Sequence, residues 1–414
     1  MRIVFVIHQF YPEFQSGTER VTLQLARMAQ RAGHFVQVLA CQVKPNQDAA
    51  PAISPAQKIR SIVVDGVPVT LLARASLPAS ADTSLEVDQT VVAVLEAWLR
   101  ERQFDVAHVL HSMRMASALV AIQNVGLPML LTLTDFFLGC TRINLIDLES
   151  RPCPGPDQGR RCTRRCPTPA WTQALHEARH QQAHSLLGAA HALVAPSRYV
   201  ADHFEAMFPG LKIHVVAHGV DTLAMNRARP AAQPRHGITL GFIGSLIADK
   251  GLHVLLQALA DQPDLPLRLR VAGAFHGDSV YEARVRKLVA ADRRVELMGQ
   301  CTADQVAELI HGIDLLCLPS LVPETFSLVV HECAAAGVPS LVSDLGAPAQ
   351  AIGADAGGAV IRAGDVAAWS AMLGTVVREP ARLAAWRSQV QLPQRIEEEA
   401  FFYESLYRQA LALG

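Results

Sequence analysis

The stretch LLCLPSLVPETFSLVVHECAAAGVPSLVSD, residues 315 to 344, holds two carboxylates, Glu324 and Glu332, eight positions apart. LLCLPS is a short continuous apolar run closed by Pro319, the pattern of a parallel strand covered on both faces. The residues after Pro323 have helical composition up to Gly337, with Pro339 just beyond as a stop signal. Glu324 is therefore expected at the carboxyl end of a strand and the amino end of a helix. Free backbone N–H groups and the helix dipole favour anions there. Glu332 follows two turns on, where a carboxylate accepts hydrogen bonds from hydroxyls. Two carboxylates beside an anion cradle suit a sugar joined to a nucleotide.

A second segment, GFIGSLIADKG (241 to 251), reads as a strand that turns through Gly244 and Ser245 and opens a helix after Lys250 and Gly251. Glycine lets a backbone approach a diphosphate closely, and Lys250 supplies a point charge. Alone, the segment reads equally well as a strand-to-helix turn with a surface lysine; the two-glutamate segment behind it favours phosphate. DVAHVLH puts His108 and His111 near a strand's carboxyl end, where ligands collect in open α/β sheets, although a lone histidine is more often structural. Cys140, Cys153, Cys162 and Cys166 crowd a loop rich in Arg, Pro and Gly, with spacings x12, x8 and x3 that match no standard finger. Four thiolates in so short a loop suit a tetrahedral structural zinc. Free thiols in a flexible loop, an iron–sulfur cluster and disulfides are the alternatives. Arg151, Arg160, Arg161, Arg164 and Arg165 decorate the same loop, either to bind acceptor phosphate or to keep it soluble.

The elements that must position these groups follow from alternation. Thirteen strand-like runs (RIVFVI, HFVQVLA, VPVTLL, DVAHVLH, PMLLTLT, ALVAPS, IHVVAHG, then ITLGFIG, LRLRVAG, VELMG, DLLCLPS, PSLVSD, GAVI) alternate with helix-length segments. That implies an α/β chain of parallel sheets with helices on both faces. At 414 residues, two domains are the prior. Residues 222 to 237 break both periodicities and read as the linker; 44 to 61 and 75 to 86 read as polar surface loops. Glu19 and Arg20 read as solvated charges in a helix's first turn. The tail EEEAFFYESLYRQALAL is amphipathic, with Phe401, Phe402, Leu406 and Leu411 as its expected buried face. Hydrophobic content of 50%, charged content of 18% and a net charge of −1 argue against a general nucleic-acid binder. MRIVFVIHQFYP reads as a first strand rather than a signal peptide, and no run approaches the ~20 apolar residues of a membrane span. A cytoplasmic protein is expected.

Glu324 and Glu332 in PETFSLVVHECAAAGVP, GFIGSLIADKG, and HQFYPEFQSGTERVTLQLARMAQRAGHFVQVLA (8 to 40) appear in this order. Together they resemble the E-x7-E motif, phosphate loop and first strand–loop–helix unit of the retaining family-4 glycosyltransferases. The resemblance implies a GT-B fold of two Rossmann-like, doubly wound domains facing a central cleft. It puts an acceptor domain at 1–221 with a Cys-rich insertion at 140–166, a nucleotide-sugar domain at 238–392, and a helix from 393–414 crossing back to the first domain. Similar Cys-rich insertions occur in a bacterial subset of the family.

The resemblance also assigns roles. Lys250, Gly244, Ser245 and the helix start at Thr325, Phe326 and Ser327 would hold the departing diphosphate, with no obligatory divalent metal. Glu332 would bind ribose hydroxyls, and Glu324 sugar hydroxyls near the scissile bond, not as a covalent nucleophile. Gly17 would face the donor diphosphate. Asp135 would approach the transferred sugar. Two departures stand out: Ser245 replaces a frequent Arg, and Thr134 replaces a frequent His, for which His111 is the candidate substitute. His218, Gly219 and Asp221 read as structural or hinge-related. The implied donor is a UDP- or GDP-linked sugar and the acceptor a glycan, lipid-linked or small-molecule hydroxyl, which leaves peripheral contact with the inner membrane face open. A GT-B epimerase and a degenerate sugar-nucleotide-binding protein are the rival readings. A dinucleotide oxidoreductase is disfavoured, since neither unit carries G-x-G-x-x-G.

Overall fold

Two separate sheets organise the chain in this computed structural model, which describes residues 1–44, 59–222, 225, 237–352 and 357–413. The compact units are Met1–His218 with Ile396–Gly414, and Gly219–Arg395. Most of the expected linker, 222 to 237, lies outside the described residues.

The first unit contains β1 (Arg2–Ile7), β2 (Phe35–Gln42), β3 (Ile59–Val64), β4 (Val67–Ala73), β5 (Val106–Val109), β6 (Met129–Thr132), β7 (Ala192–Ala195) and β8 (Ile213–Val215). Among the described residues they form one sheet in the order β3-β4-β2-β1-β5-β6-β7-β8. All neighbours are parallel except the β3–β4 hairpin. Ile3 to Ile7 are each 0% exposed, as expected of a central strand with helices on both faces.

The hairpin corrects the expected surface loop at its carboxyl end. IRSIVV and VPVTLLA pair antiparallel through Asp65 and Gly66, whose φ values are 46° and 79°. Both central residues thus take the left-handed conformation that matches strand twist in a two-residue turn. Residues 75 to 86 also differ from expectation. They form two 3₁₀ turns, bury Leu77, Ala81 and Leu85, and pair Asp82 with Arg74 and Arg114.

The second unit contains β9 (Ile238–Ile243), β10 (Leu267–Ala272), β11 (Val295–Gly299), β12 (Leu315–Leu318), β13 (Ser340–Ser343) and β14 (Gly358–Ile361). Among the described residues they form a wholly parallel sheet in the order β11-β10-β9-β12-β13-β14. In each sheet the chain winds outward from one strand and then restarts on its other side, between β1 and β5 and between β9 and β12. Such switch points leave a crevice at the strands' carboxyl ends, because the two following loops diverge.

The terminal helix Ile396–Leu413 packs within the first unit, against the helix Gly17–Arg31, β5 and β6. Its buried face is only partly the expected one. Phe401 is 76% exposed and Leu411 is 38% exposed, whereas Ile396, Glu399, Tyr403, Leu406, Tyr407 and Ala410 are buried. Polar matching explains the choice. Tyr407 Oη meets His108 Nδ1 at 2.7 Å, Tyr403 Oη meets Thr132 Oγ1 at 2.8 Å, and His108 Nε2 meets Thr132 Oγ1 at 2.8 Å. Glu399 pairs with His218 Nδ1 at 2.8 Å. A phenylalanine on that face would leave His108 and Thr132 unsatisfied. Burial, and secondarily His218, lowers the His108 pKa to about 3, so the ring is neutral and accepts or donates through both nitrogens. Tyr407→Phe is expected to cost about 1–3 kcal/mol by orphaning His108 Nδ1. That is about 2–4 °C of Tm per kcal/mol in a unit of this size, with kcat unchanged. A thermal melt beside steady-state kinetics checks it.

Among the described residues no helix is long and apolar enough to cross a membrane.

Candidate functional site

Glu324 is held by three separate segments of the second unit. After β9 the chain passes Gly244, at φ 152°, and Leu246 N–H donates to Ala274 O at 2.9 Å. A single 3₁₀ turn, Ala248–Lys250, then leads to Gly251 at φ 69° and the helix Leu252–Ala260. A Cβ on Gly251 would stand 1.9 Å from Pro319 O, so only glycine lets this turn press on the loop after β12. Leu321 N–H donates to Asp249 O at 2.7 Å and locks the two loops together. The result is Lys250 Nζ at 2.8 Å from Glu324 Oε1. Ser320 Oγ also donates to that carboxylate, as does Ser327.

From the third segment, Ala347 N–H donates to Glu324 O at 2.8 Å across the contact with Gly346. Burial alone raises a carboxyl pKa. The Lys250 charge and the hydrogen bonds from Lys250, Ser320 and Ser327 more than offset it, and the Glu324 pKa is lowered. Glu324 is therefore an ionised, pre-oriented acceptor. It takes one of the three N–H donors of Lys250.

The helix starts later than the sequence implies. It spans Leu328–Ala335, so Glu324, Thr325 and Phe326 lie in the loop before it. Ser327 takes φ 74°, and its hydroxyl turns to Glu324 instead of capping the first turn. Pro323 and the left-handed Ser327 between them prevent an earlier start. Phe326 stacks on His331, with ring centroids 3.9 Å apart and 9° between planes. Glu332, in the middle of the helix, is 5% exposed.

In the first unit the loops after β1 and β5 bring a second polar cluster together. His8 stacks on His111 at 3.7 Å. His111 Nδ1 accepts from Met113 N–H at 3.2 Å, so its proton sits on Nε2, 3.0 Å from Asp135 Oδ2. Phe137 N–H donates to Asp135 Oδ1 at 2.5 Å, and Thr134 Oγ1 donates to Leu110 O. Glu19 is 0% exposed, which corrects its reading as a solvated charge. Gln9 Nε2 donates to it at 2.9 Å, Ser16 Oγ donates as well, and His8 Nε2 stands 3.9 Å away. Arg114 reaches the cluster through Gln9 Oε1 at 3.2 Å. Burial first, then the neighbouring His111 and Arg114, hold the His8 pKa well below its ordinary value, so His8 is neutral. A small cavity beside His111 is lined by His111, Ser112, Thr132 and Asp135 among others.

Residues 15–223, just over half of the chain, match the sequence profile described as Glycosyltransferase Family 4. The chain belongs to glycosyltransferase family 4. Its residues 237–379 match the companion profile described as Glycosyl transferases group 1. A D-inositol 3-phosphate glycosyltransferase from Corynebacterium urealyticum is 27% identical over 179 residues, 41% of this chain and 42% of that protein. A glycogen synthase from Mycobacterium tuberculosis is 30% identical over 214 residues, 50% of each chain. The match thus spans half or less of either relative's length. Among solved structures, sucrose-phosphate synthase from Thermosynechococcus elongatus superposes with a TM-score of 0.74 at 18% identity over 100% of both chains. Anabaena HepE in complex with UDP and glucose superposes with a TM-score of 0.67 at 17% identity over 100% of this chain and 99% of that one. The fold is GT-B, with two Rossmann-like domains.

In this family-4 chain the predicted residues divide clearly. Lys250 and Glu324 are in contact, Gly244 and Ser245 precede Lys250 in its loop, and Thr325, Phe326, Ser327 and Glu332 follow Glu324. Asp135 and His111 are in contact in the other domain. Gly17 is exposed and opens the helix Gly17–Arg31. His108 is overturned as a site candidate: it is 0% exposed and holds the terminal helix. His218, read as structural, pairs with Glu399 of that helix. Sequence reading missed His8, Glu19 and Arg114. His8 stands at the carboxyl end of β1 beside the switch point, which was the available signal. Glu19 gave none, since a carboxylate in a first helical turn is usually solvated.

Proposed function

We propose that this protein is a retaining glycosyltransferase, moving a sugar from a nucleoside diphosphate sugar to a hydroxyl acceptor. The observation that carries the reading is the Lys250–Glu324 pair, set between the phosphate loop and the uncapped start of the helix Leu328–Ala335. In the transition state the glycosidic bond to the diphosphate lengthens, and negative charge gathers on the leaving phosphate oxygen. The ammonium of Lys250 and the first N–H groups of the helix are already oriented for that charge, so no reorganisation is needed as it develops. These groups neutralise the diphosphate without an obligatory divalent ion. Glu324, kept ionised, accepts hydrogen bonds from sugar hydroxyls, and Glu332 accepts those of the ribose.

Two likenesses support the donor class. HepE is solved with UDP, with UDP and glucose, and with UDP-glucose, and a starch synthase IV domain from Arabidopsis thaliana with ADP and acarbose. UDP, GDP and ADP sugars are therefore the donors to screen. In the first domain, Asp135 held by His111 and the Phe137 amide orients the acceptor side of the reaction. Thr134 cannot carry charge, and His111 supplies the imidazole at that carboxylate.

Release of nucleoside diphosphate from a panel of sugar nucleotides, with and without EDTA, tests the function. Turnover with one donor that persists in EDTA is expected. No release from any donor, together with tight diphosphate binding, would favour the degenerate binding protein. Asp135→Asn should lower kcat ~10²–10⁴-fold, the range for a positioned polar catalyst, and leave diphosphate affinity intact. An equal loss of both would contradict its assignment to the acceptor side.

A further inference from the structure

Neither the donor nor the acceptor chemistry uses Cys140, Cys153, Cys162 and Cys166. They come from separate points along one loop, and all four line one small pocket together with Leu145, Ile146, Arg161 and Arg165 among others. None is in a disulfide, and each is only partly exposed. Cys162 lies in the short helix Arg160–Arg165, and Cys166 ends it.

The backbone N–H groups of Arg142 and Leu145 donate to the Cys140 sulfur, and that of Leu148 donates to the Cys166 sulfur. Arg179 is 7% exposed and donates to the carbonyls of Thr83, Leu138 and Phe137 while its guanidinium stacks on the Phe137 ring. It forms no ion pair among the described residues. A buried cation is costly unless an anion lies close, and the groups that act on it are the sulfurs of Cys140 and Cys162 and the carboxylate of Asp135. Ile143 and Leu145 between the first two cysteines take φ of 71° and 52°. A β-branched residue there persists only where its surroundings over-determine it.

As the side chains stand, no group of three or more His, Cys, Asp or Glu among the described residues is gathered closely enough to hold a metal ion. Metal binding would therefore require the thiols to turn inward, and rotation between staggered χ1 wells moves a thiol sulfur by roughly 3 Å.

We propose that Cys140, Cys153, Cys162 and Cys166 bind one structural zinc ion that fixes the insertion against the segment carrying Asp135. Four thiols lose four protons and bind Zn²⁺, leaving a site of charge −2 that Arg179 and the rim arginines Arg161 and Arg165 offset. Zinc suits a tetrahedral all-sulfur set with no redox demand. The mechanical link is short. Cys140 N–H donates to Phe136 O at 2.7 Å, Phe136 N–H donates to Ile143 O at 3.2 Å, and Phe137 N–H donates to Asp135. The inference stands independently of the donor assignment.

The test is metal analysis of the full chain purified without added zinc or chelator. One zinc per chain is expected, released as an organomercurial caps the four thiolates that held it. Replacement by Co²⁺ should give the sulfur-to-cobalt charge-transfer and visible bands of a tetrahedral thiolate site. The double variant Cys153→Ser/Cys162→Ser should lose the zinc; if it does not fold, the cobalt spectrum of the unaltered chain still decides. Folded protein without metal, iron with sulfide-cluster absorbance, or a disulfide found by mass spectrometry would each overturn the proposal.

Discussion

Lys250→Ala is expected to lower kcat by ~10²–10³-fold, the effect of losing one preorganised donor to a developing oxyanion, and to weaken diphosphate binding by ~10–100-fold, as for a lost hydrogen bond to a charged group. The loss is doubled in kind, because the same ammonium holds Glu324 at 2.8 Å. Without it, burial again pushes the Glu324 pKa upward, and the carboxylate relaxes from the geometry that receives sugar hydroxyls.

Stability should report the same pair. The Glu324 pKa is lowered from its ordinary 4.5 in the folded protein. Its contribution is thus present above about pH 4.5 and is lost as pH falls through the folded pKa. The stability gap between the unaltered protein and Lys250→Ala should therefore close as acid is added below that point. Chemical denaturation at a series of pH values measures it. A gap that stays constant through this range would mean that Lys250 does not control Glu324.

The second large effect comes from a residue with no side chain. Gly346→Ala is expected to lower kcat by ~100-fold, the penalty of an ångström-scale misplacement of a reacting group. An added Cβ at Gly346 would lie 2.4 Å from both the N and O atoms of Glu324, and backbone cannot swing aside as a side chain can. Either the loop after β12 moves, carrying Glu324 from Lys250, or the hydrogen bond from Ala347 N–H breaks. The residue also sits at φ 78°, which costs an alanine ~1–2 kcal/mol. Gly299→Ala separates the two effects: at φ 76° it bears the same strain, with nothing within 4 Å of its Cβ. Gly299→Ala should lose stability and keep kcat, whereas Gly346→Ala should lose both. Steady-state kinetics beside thermal melts of the two variants decide it.

What could be read from sequence follows physical locality. The parallel strands were legible because burial on both faces makes continuous apolar runs, and the Lys250 and Glu324 loops because glycine, proline and charge mark strand ends. Helix beginnings were less so: Ser327 at φ 74° and Pro323 delay the start to Leu328, a geometry that helical composition does not disclose. Asp-Gly at 65 and 66 is a hairpin signal that went unread, because the partly exposed edge strand Ile59–Val64 lacks a continuous apolar run. The face of the terminal helix was decided by partners remote in sequence. Tyr403 and Tyr407 are buried because His108 and Thr132 need hydroxyls, while the more apolar Phe401 faces solvent. Glu19 was hidden for the same reason, since its partners His8, Gln9 and Ser16 meet it only in the folded loop.

The central claim is that the second domain holds a nucleoside diphosphate through Lys250 and Glu332. Isothermal titration of UDP, GDP and ADP into the unaltered chain, Lys250→Ala, Glu332→Ala and Asp135→Asn tests it most directly. The account predicts saturable binding of at least one diphosphate, weakened at least ~10-fold by a loss of about 1.4 kcal/mol in the first two variants, and unchanged in Asp135→Asn. Binding of equal strength in Lys250→Ala, or no binding of any of the three diphosphates to the unaltered chain, would contradict it.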